Sequence, residues 1–177
     1  MCIIVDTNCL ASVFDKKSDK HQEFEPVLEW ITRGKGKFVY GGSKYLAELS
    51  KAPKYLRIIN ILKKSGKTII ANKDIVDKEQ KRIEQYITDE DFDDPHLPAI
   101  VIASKCKIIC SVDARSIKFV TCSKLYPKGI EVPKYYTSSK NKNLLCDKYI
   151  PKCYKPLKKC NKIEINNIEN ALKQSIR

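Results

Sequence analysis

Cys2-Ile3-Ile4-Val5-Asp6-Thr7-Asn8-Cys9-Leu10 is the stretch on which the fold is decided. A short apolar run ending on an acid reads as a buried strand that delivers Asp6 to its carboxyl end. Thr7 and Asn8 can begin a helix, and Leu10, Val13 and Phe14 have helical spacing. Outward from there the same alternation repeats. Lys37–Tyr40, Thr68–Ala71 and Lys107–Cys110 read as further short strands, and Ile130–Val132 as a last one. Between them, Phe24, Val27, Leu28 and Ile31 predict an amphipathic helix closed by Gly34. Ser43, after Gly41-Gly42, is placed to cap a helix that Pro53 interrupts, and Tyr55–Lys64 continues as a second one. Asp74–Ile87, Leu97–Ala103 and Ala114–Leu125 complete the helical set. Strands alternating with helices predict an α/β sandwich around a mostly parallel sheet.

The chain has 177 residues and a formal charge of +13, which asks for an anionic partner. The charge is concentrated late. Residues 124–162 hold eleven Lys against Glu131 and Asp147. A domain boundary is drawn near Tyr136, giving a core of residues 1–136 and a Lys/Cys-rich extension, 137–177. Ile163–Ile176 has the spacing of a closing helix. Lys128, Lys134, Lys140, Lys142, Lys148, Lys152, Lys155, Lys158 and Lys159 are the candidate phosphate contacts. Tyr126, Tyr135, Tyr136, Tyr149 and Tyr154 lie among these lysines, either to stack on bases or to pack the extension down. A solvated Lys-rich surface is the plainer account of the charge.

No long apolar run and no basic-then-apolar leader is present, so a cytoplasmic chain without a membrane span is expected. The eight Cys are then expected to be reduced. Cys146, Cys153 and Cys160 recur every seven residues, but not as the paired C-x-x-C of a zinc site. Ordinary thiols are the expectation.

The chemistry lies in the acids. Asp6 and Asp113 each follow a predicted strand directly, and in an open parallel sheet ligands bind beyond the carboxyl ends of the strands. Thr88-Asp89-Glu90-Asp91-Phe92-Asp93-Asp94 packs five acids into seven residues just before Pro95. Asp94 suits an N-cap and Pro95 a first helical position. Glu48 lies on the helix after the second strand. Clustered carboxylates repel one another unless a cation sits among them, and Mg2+ or Mn2+ prefers such oxygen donors. Read singly, Asp113 and Asp94 are helix caps and Glu48 a solvated helix residue.

The combination and order resemble the PIN-domain nucleases over roughly residues 1–135. Ile3–Leu10 is similar to that family's opening strand and D-T-N-x-L step. Glu48 stands where the family has its second acid. Asp94-Pro95-His96-Leu97-Pro98-Ala99-Ile100 resembles its third motif, and Ile108-Ile109-Cys110-Ser111-Val112-Asp113 its fourth. The resemblance implies a three-layer α/β/α sandwich and Mg2+- or Mn2+-dependent endonucleolytic cleavage of RNA. It implies Asp6, Glu48, Asp94 and Asp113 as catalytic metal-site residues, with Asn8 and Ser111 in support. Asp93 competes with Asp94 as the third acid. His96 could contact substrate or be a partly buried helix residue. The extension lies outside the resembling stretch, which weighs against a minimal toxin of a toxin–antitoxin pair. A cognate antitoxin or other protein partner, and a homodimer, stay open. The alternative function is a non-catalytic RNA- or DNA-binding module on the same fold. A nucleotide-binding reading finds neither G-x-G-x-x-G nor G-x-x-x-x-G-K-[ST].

Overall fold

The computed structural model describes residues 2–146, 151–154 and 157–174. Strands β1 (Cys2–Val5), β2 (Lys37–Gly41), β3 (Thr68–Ala71), β4 (Ile108–Cys110) and β5 (Lys134–Tyr136) form one sheet in the order β3-β2-β1-β4-β5. Every pairing is parallel. Of the three inner strands, β1 and β4 are buried throughout and β2 in all but its first residue, while β3 and β5 at the edges keep exposed residues. That is why β1 and β4 read as continuous apolar runs rather than as alternating ones.

The helices are α1 (Leu10–Phe14), α2 (His21–Thr32), α3 (Ser43–Ser50), α4 (Pro53–Lys64), α5 (Lys73–Tyr86), α6 (His96–Ser104), α7 (Ala114–Val120) and α8 (Lys162–Gln174). With helices flanking an all-parallel sheet, the architecture is an α/β/α sandwich. Helix α6 is apolar on nearly every side and packs against α5 and β1–β3, so it belongs to the core.

The chain winds from β1 to β3 on one side, then returns through α5 and α6 to place β4 against the other side of β1. The strand order therefore reverses between β1 and β4. A crevice opens at such a switch point, beyond the carboxyl ends of both strands. The Asp6 N–H donates to Cys110 O at 2.9 Å and the Ser111 N–H to Tyr136 O at 3.2 Å, which fastens these ends together.

Four local expectations are corrected. The last strand is Lys134–Tyr136, not Ile130–Val132, since Pro133 has no N–H to give a ladder and pairing starts with Lys134 N–H on Lys107 O. Helix α7 stops at Val120, and only a single 3-10 turn, Ser123–Leu125, follows. Gly42, at φ 80°, holds the N-cap position of α3 in place of Ser43. A Cβ there would lie 2.3 Å from Val76 Cγ1, so the close approach of α5 also requires glycine. Ser43 instead donates to Asp77 at 2.6 Å. Pro95, not Asp94, occupies the N-cap position of α6, and no side chain caps that helix.

The chain beyond Tyr136 adds to the same core. Tyr136 is fully buried, and its hydroxyl donates to Glu23 O at 2.9 Å. Helix α8 buries Ile168, Ala171 and Leu172 and packs on α4, while Arg33 pairs with Glu169 at 3.0 Å. Ile176, expected in that helix, lies outside the described residues. Tyr154 and Lys158 lie beneath the amino ends of the strands. There the Tyr154 hydroxyl donates to Ser104 O at 2.7 Å. Lys67, just before β3 and with no exposed surface, donates to Gly34 O at 3.0 Å and Lys158 O at 3.2 Å. Among the described residues no helix is long and apolar enough to cross a membrane.

Candidate metal centre

Four separate segments bring acids to the crevice. Asp6 follows β1, Glu48 rides on α3, Asp93 and Asp94 end the acidic loop before α6, and Asp113 follows β4. Ligating oxygens of Asp93, Asp94 and Asp113 all lie within 4.8 Å of one another. The ambiguity between Asp93 and Asp94 dissolves, because both reach the cluster, Asp93 exposed and Asp94 buried. Phe92 explains how the loop is held. Its ring packs 5.0 Å from that of Phe119 on α7, leaving the acids on either side free of the core.

Asp6 has no exposed surface, and both its oxygens are engaged. Ser111 Oγ donates to Oδ2 at 2.7 Å and the Asn8 N–H to Oδ1 at 3.1 Å. The same Ser111 Oγ accepts from the Asp113 N–H at 3.0 Å, so one hydroxyl sets the spacing of two acids. Burial pushes the Asp6 carboxyl up. The bonds from Ser111 and Asn8 oppose this, and the charges of Glu48 and Asp113 add to it. Asn8 supports through its backbone, and its side chain is exposed at the cleft.

Asp94 is freed by the shift of the helix start. Its carbonyl accepts from the Leu97 N–H at 3.1 Å, and its carboxylate takes no cap bond. Burial, then the charges of Asp6 and Asp93, push this carboxyl up to about 7, with Lys44 pulling the other way. Asp113 does cap α7, accepting from the Arg115 N–H at 2.9 Å. Burial pushes its carboxyl up, but the bonds from Arg115 outweigh that and leave it below the usual range. Capping and clustering coexist there. Thr7 Oγ1 fixes Glu48 by donating to Oε2 at 2.8 Å.

His96 is fully buried, which suits the reading of it as a buried residue of the first helical turn rather than as a substrate contact. Its Nε2 lies 3.7 Å from Glu48 Oε2 and its Nδ1 3.9 Å from Asp94 Oδ1. Burial, and then the nearby Lys44, push its pKa down to about 3, so the ring is neutral at pH 7 and these are not ion pairs.

An open cleft of about 450 Å³ gives access, lined by Thr7, Asn8, Leu10, Lys44, Glu48, Lys51, Ala52, Asp93 and Asp94. Lys44 also donates to Asp93 O. Lys44 and Lys51 were not singled out by sequence, although Lys44 stands one helical turn before Glu48. Tyr135 was considered for base stacking or for packing the extension down, not as a neighbour of the acids. Its hydroxyl lies 3.4 Å from Ser116 Oγ. Burial, followed by the charges of Asp6, Asp94 and Asp113, pushes its pKa up despite the bond from Ser116. Nothing in the spacing of Tyr135 announces this.

The late lysines are dispersed. Lys148 and Lys155, with the side chain of Lys152, lie outside the described residues, as does Tyr149. Lys128, Lys134, Lys140 and Lys142 are exposed on and around β5 and the turn Ser139–Leu144 that follows it. Lys158 and Lys159 are exposed beneath the amino ends of the strands, away from the acids, and Lys158 pairs with Glu164. Tyr126, Tyr135, Tyr136 and Tyr154 are half-buried or buried, with their hydroxyls turned to protein partners.

The donor set suits a hard divalent cation. It is dominated by oxygen, drawn from four segments, and held together against mutual repulsion that a cation would relieve. The chain matches no family model, no curated protein and no solved structure.

Proposed function

We propose that the chain is a Mg2+- or Mn2+-dependent endoribonuclease of PIN-like plan, with its metal centre at the carboxyl ends of β1 and β4. The observation that carries this reading is the cluster of Asp93, Asp94 and Asp113 at the switch point of a parallel sheet, where burial and the charges of Asp6, Asp93 and Glu48 push Asp94 up to about 7. Carboxylates placed so that they raise one another are costly unless the site uses them. The order of the acids along the chain, and its +13 charge, favour RNA as the substrate.

Asp93, Asp94 and Asp113 would hold the cation, with Asp6 and Glu48 at its margin. The chemistry a divalent cation supplies when bound is a water of lowered pKa and neutralised charge on a phosphodiester undergoing in-line displacement. The remaining tasks fall to the chain. Ser111 and the Asn8 N–H lock the Asp6 oxygens in direction. Thr7 does the same for Glu48. Lys44 and Lys51 on the cleft rim offer cations to the phosphates on either side of the scissile bond. The openness of the cleft suits a polymer rather than a small molecule.

The test is cleavage of a mixed RNA pool by the full chain with Mn2+, against EDTA and against Asp6→Asn and Asp94→Asn. Each substitution is expected to lower the rate about a thousandfold, the upper range for removing one electrostatic contributor to an active site, while far-UV circular dichroism stays unchanged. RNA binding that falls with salt but is indifferent to EDTA, with no cleavage, would replace this reading by a non-catalytic binding module.

A further inference from the structure

We propose that a groove beside the acidic cluster receives the base of the nucleotide next to the scissile phosphate of a single-stranded RNA, and that Glu23 makes guanine the preferred base there. The inference rests on the endoribonuclease reading above and adds a sequence preference to it.

The groove has a volume of about 510 Å³ and opens where β4 and β5 end. Val112 and Ala114, the two chain neighbours of Asp113, line it, together with Ile117 further along α7. Phe24 of α2, almost fully buried, backs it. The cleft that carries Lys44 and Lys51 is bordered by Asp93 and Asp94, and it shares no lining residue with the groove. The cluster of Asp93, Asp94 and Asp113 therefore borders two depressions. One offers cations at its rim, the other apolar walls. A polynucleotide has a part for each, phosphates for the lysines and a base for the apolar walls. Since Asp113 belongs to the cluster and its neighbours to the groove, a strand with its phosphate on the cluster brings an adjoining base to the groove.

The polar groups of the groove say which base. Ser139 donates twice to Glu23 Oε2, from its hydroxyl at 2.6 Å and from its N–H at 2.8 Å. These bonds hold the carboxyl below its usual range, so at pH 7 it only accepts. Oε1 takes no hydrogen bond from the described residues, so one oxygen anchors the side chain and the other is left for a ligand. The Watson–Crick edge of guanine carries two adjacent donors, N1–H and the N2 amino group, beside the O6 acceptor. Adenine, cytosine and uracil each present a single donor group on that edge. Lys20 also lines the groove, and its ammonium has donors for O6. Reading that edge requires an unpaired base, hence a single strand.

The experiment is cleavage of a randomised single-stranded RNA pool by the full chain with Mn2+, followed by sequencing of the cut ends. Guanine is expected on one side of the cut about tenfold above its share of the pool. In Glu23→Gln the amide oxygen can keep the Ser139 bonds while its NH2 replaces the offered acceptor. The guanine excess should then vanish while cutting continues. Ala114→Phe fills the groove from an exposed position. It should also remove the excess and raise KM, with far-UV circular dichroism unchanged. A guanine excess that survives both substitutions, an excess of another base, or no preference at all overturns this proposal. If cleavage in those cases still needs Mn2+ and Asp94, the endoribonuclease reading stands. No cleavage that depends on Mn2+ and Asp94 overturns both.

Discussion

At the amino ends of the strands, one buried cation, Lys67, has two carbonyl acceptors and a strap of chain laid over it. At the carboxyl ends, Asp93, Asp94 and Asp113 cluster, a buried imidazole stands beside Asp94 and Glu48, and Lys44 and Arg115 are the cations that act on the acids. Both ends remove charge from water. The first does so with partners supplied, as a structural joint would. The second leaves carboxylates raising one another and a ring with no partner, an arrangement that lowers stability in the folded chain standing alone. A fold tolerates such tension where it serves something outside the chain. The difference also separates two roles for lysine. Lys158 belongs to the joint, whereas Lys44 and Lys51 belong to the cleft.

The contrast predicts opposite responses to pH, the larger at the acidic end. The folded-state pKa of Asp94, about 7, lies above its unfolded value of 3.8. Its contribution is therefore fully present below about pH 4 and is lost as pH rises through 7. In EDTA, urea unfolding should show a loss on the order of 3 kcal/mol across that window. Asp94→Asn, or saturating Mn2+ with the unsubstituted chain, should flatten it. Equal slopes in all three samples would break the comparison.

The amino end should respond the other way. Burial pushes Lys67 down from 10.5 to about 8. A depressed amine contributes stability that is full above its unfolded pKa and is lost as pH falls through the folded one. Between pH 8 and 10 the unsubstituted chain should gain on the order of 2 kcal/mol relative to Lys67→Met. Removing the hydrogen bond from Lys67 Nζ to Lys158 O should also loosen the strap, read as faster tryptic cleavage after Lys158 and Lys159. An unchanged cleavage rate would mean that the strap is held elsewhere.

The smallest effect sharpens the division among lysines. Replacing Lys44 and Lys51 together by Ala should lower the slope of log RNA affinity against log salt by about 1, as expected for one or two lost phosphate contacts to a single strand. Replacing Lys158 and Lys159 should leave it unchanged. The reverse result would move the binding surface to the far side of the sheet.

Much of this was legible in the chain. Cys2–Val5 and Ile108–Cys110 are apolar without interruption because they are inner strands buried throughout, and each leads to an acid within three residues. Asp6, Asp93, Asp94 and Asp113 could be named because acids at element ends leave a local mark, whereas Glu48, inside α3, was named only through the family resemblance. What failed to show depended on neighbours distant in sequence. The cap position of α6 shifted from Asp94 to Pro95, and propensity alone does not resolve one residue. The place of Tyr135 follows from β5 pairing with β4, which short-range pattern does not encode. The burial of His96 follows from α6 lying inside the core. The late lysines formed one group in the sequence and two in space, because the strap passes to the opposite end of the strands.

The pairing of Val5 with Cys110 has a consequence in time. During synthesis Asp6 emerges early, but Ser111 and Asp113, which fix and complete its surroundings, follow some hundred residues later. Until β4 slots against β1 there is no crevice, and Asp6 is an acid on an unsupported strand. The surroundings that hold Asp6 in place are thus absent from the growing chain until residue 113 has emerged, with 64 residues still to come.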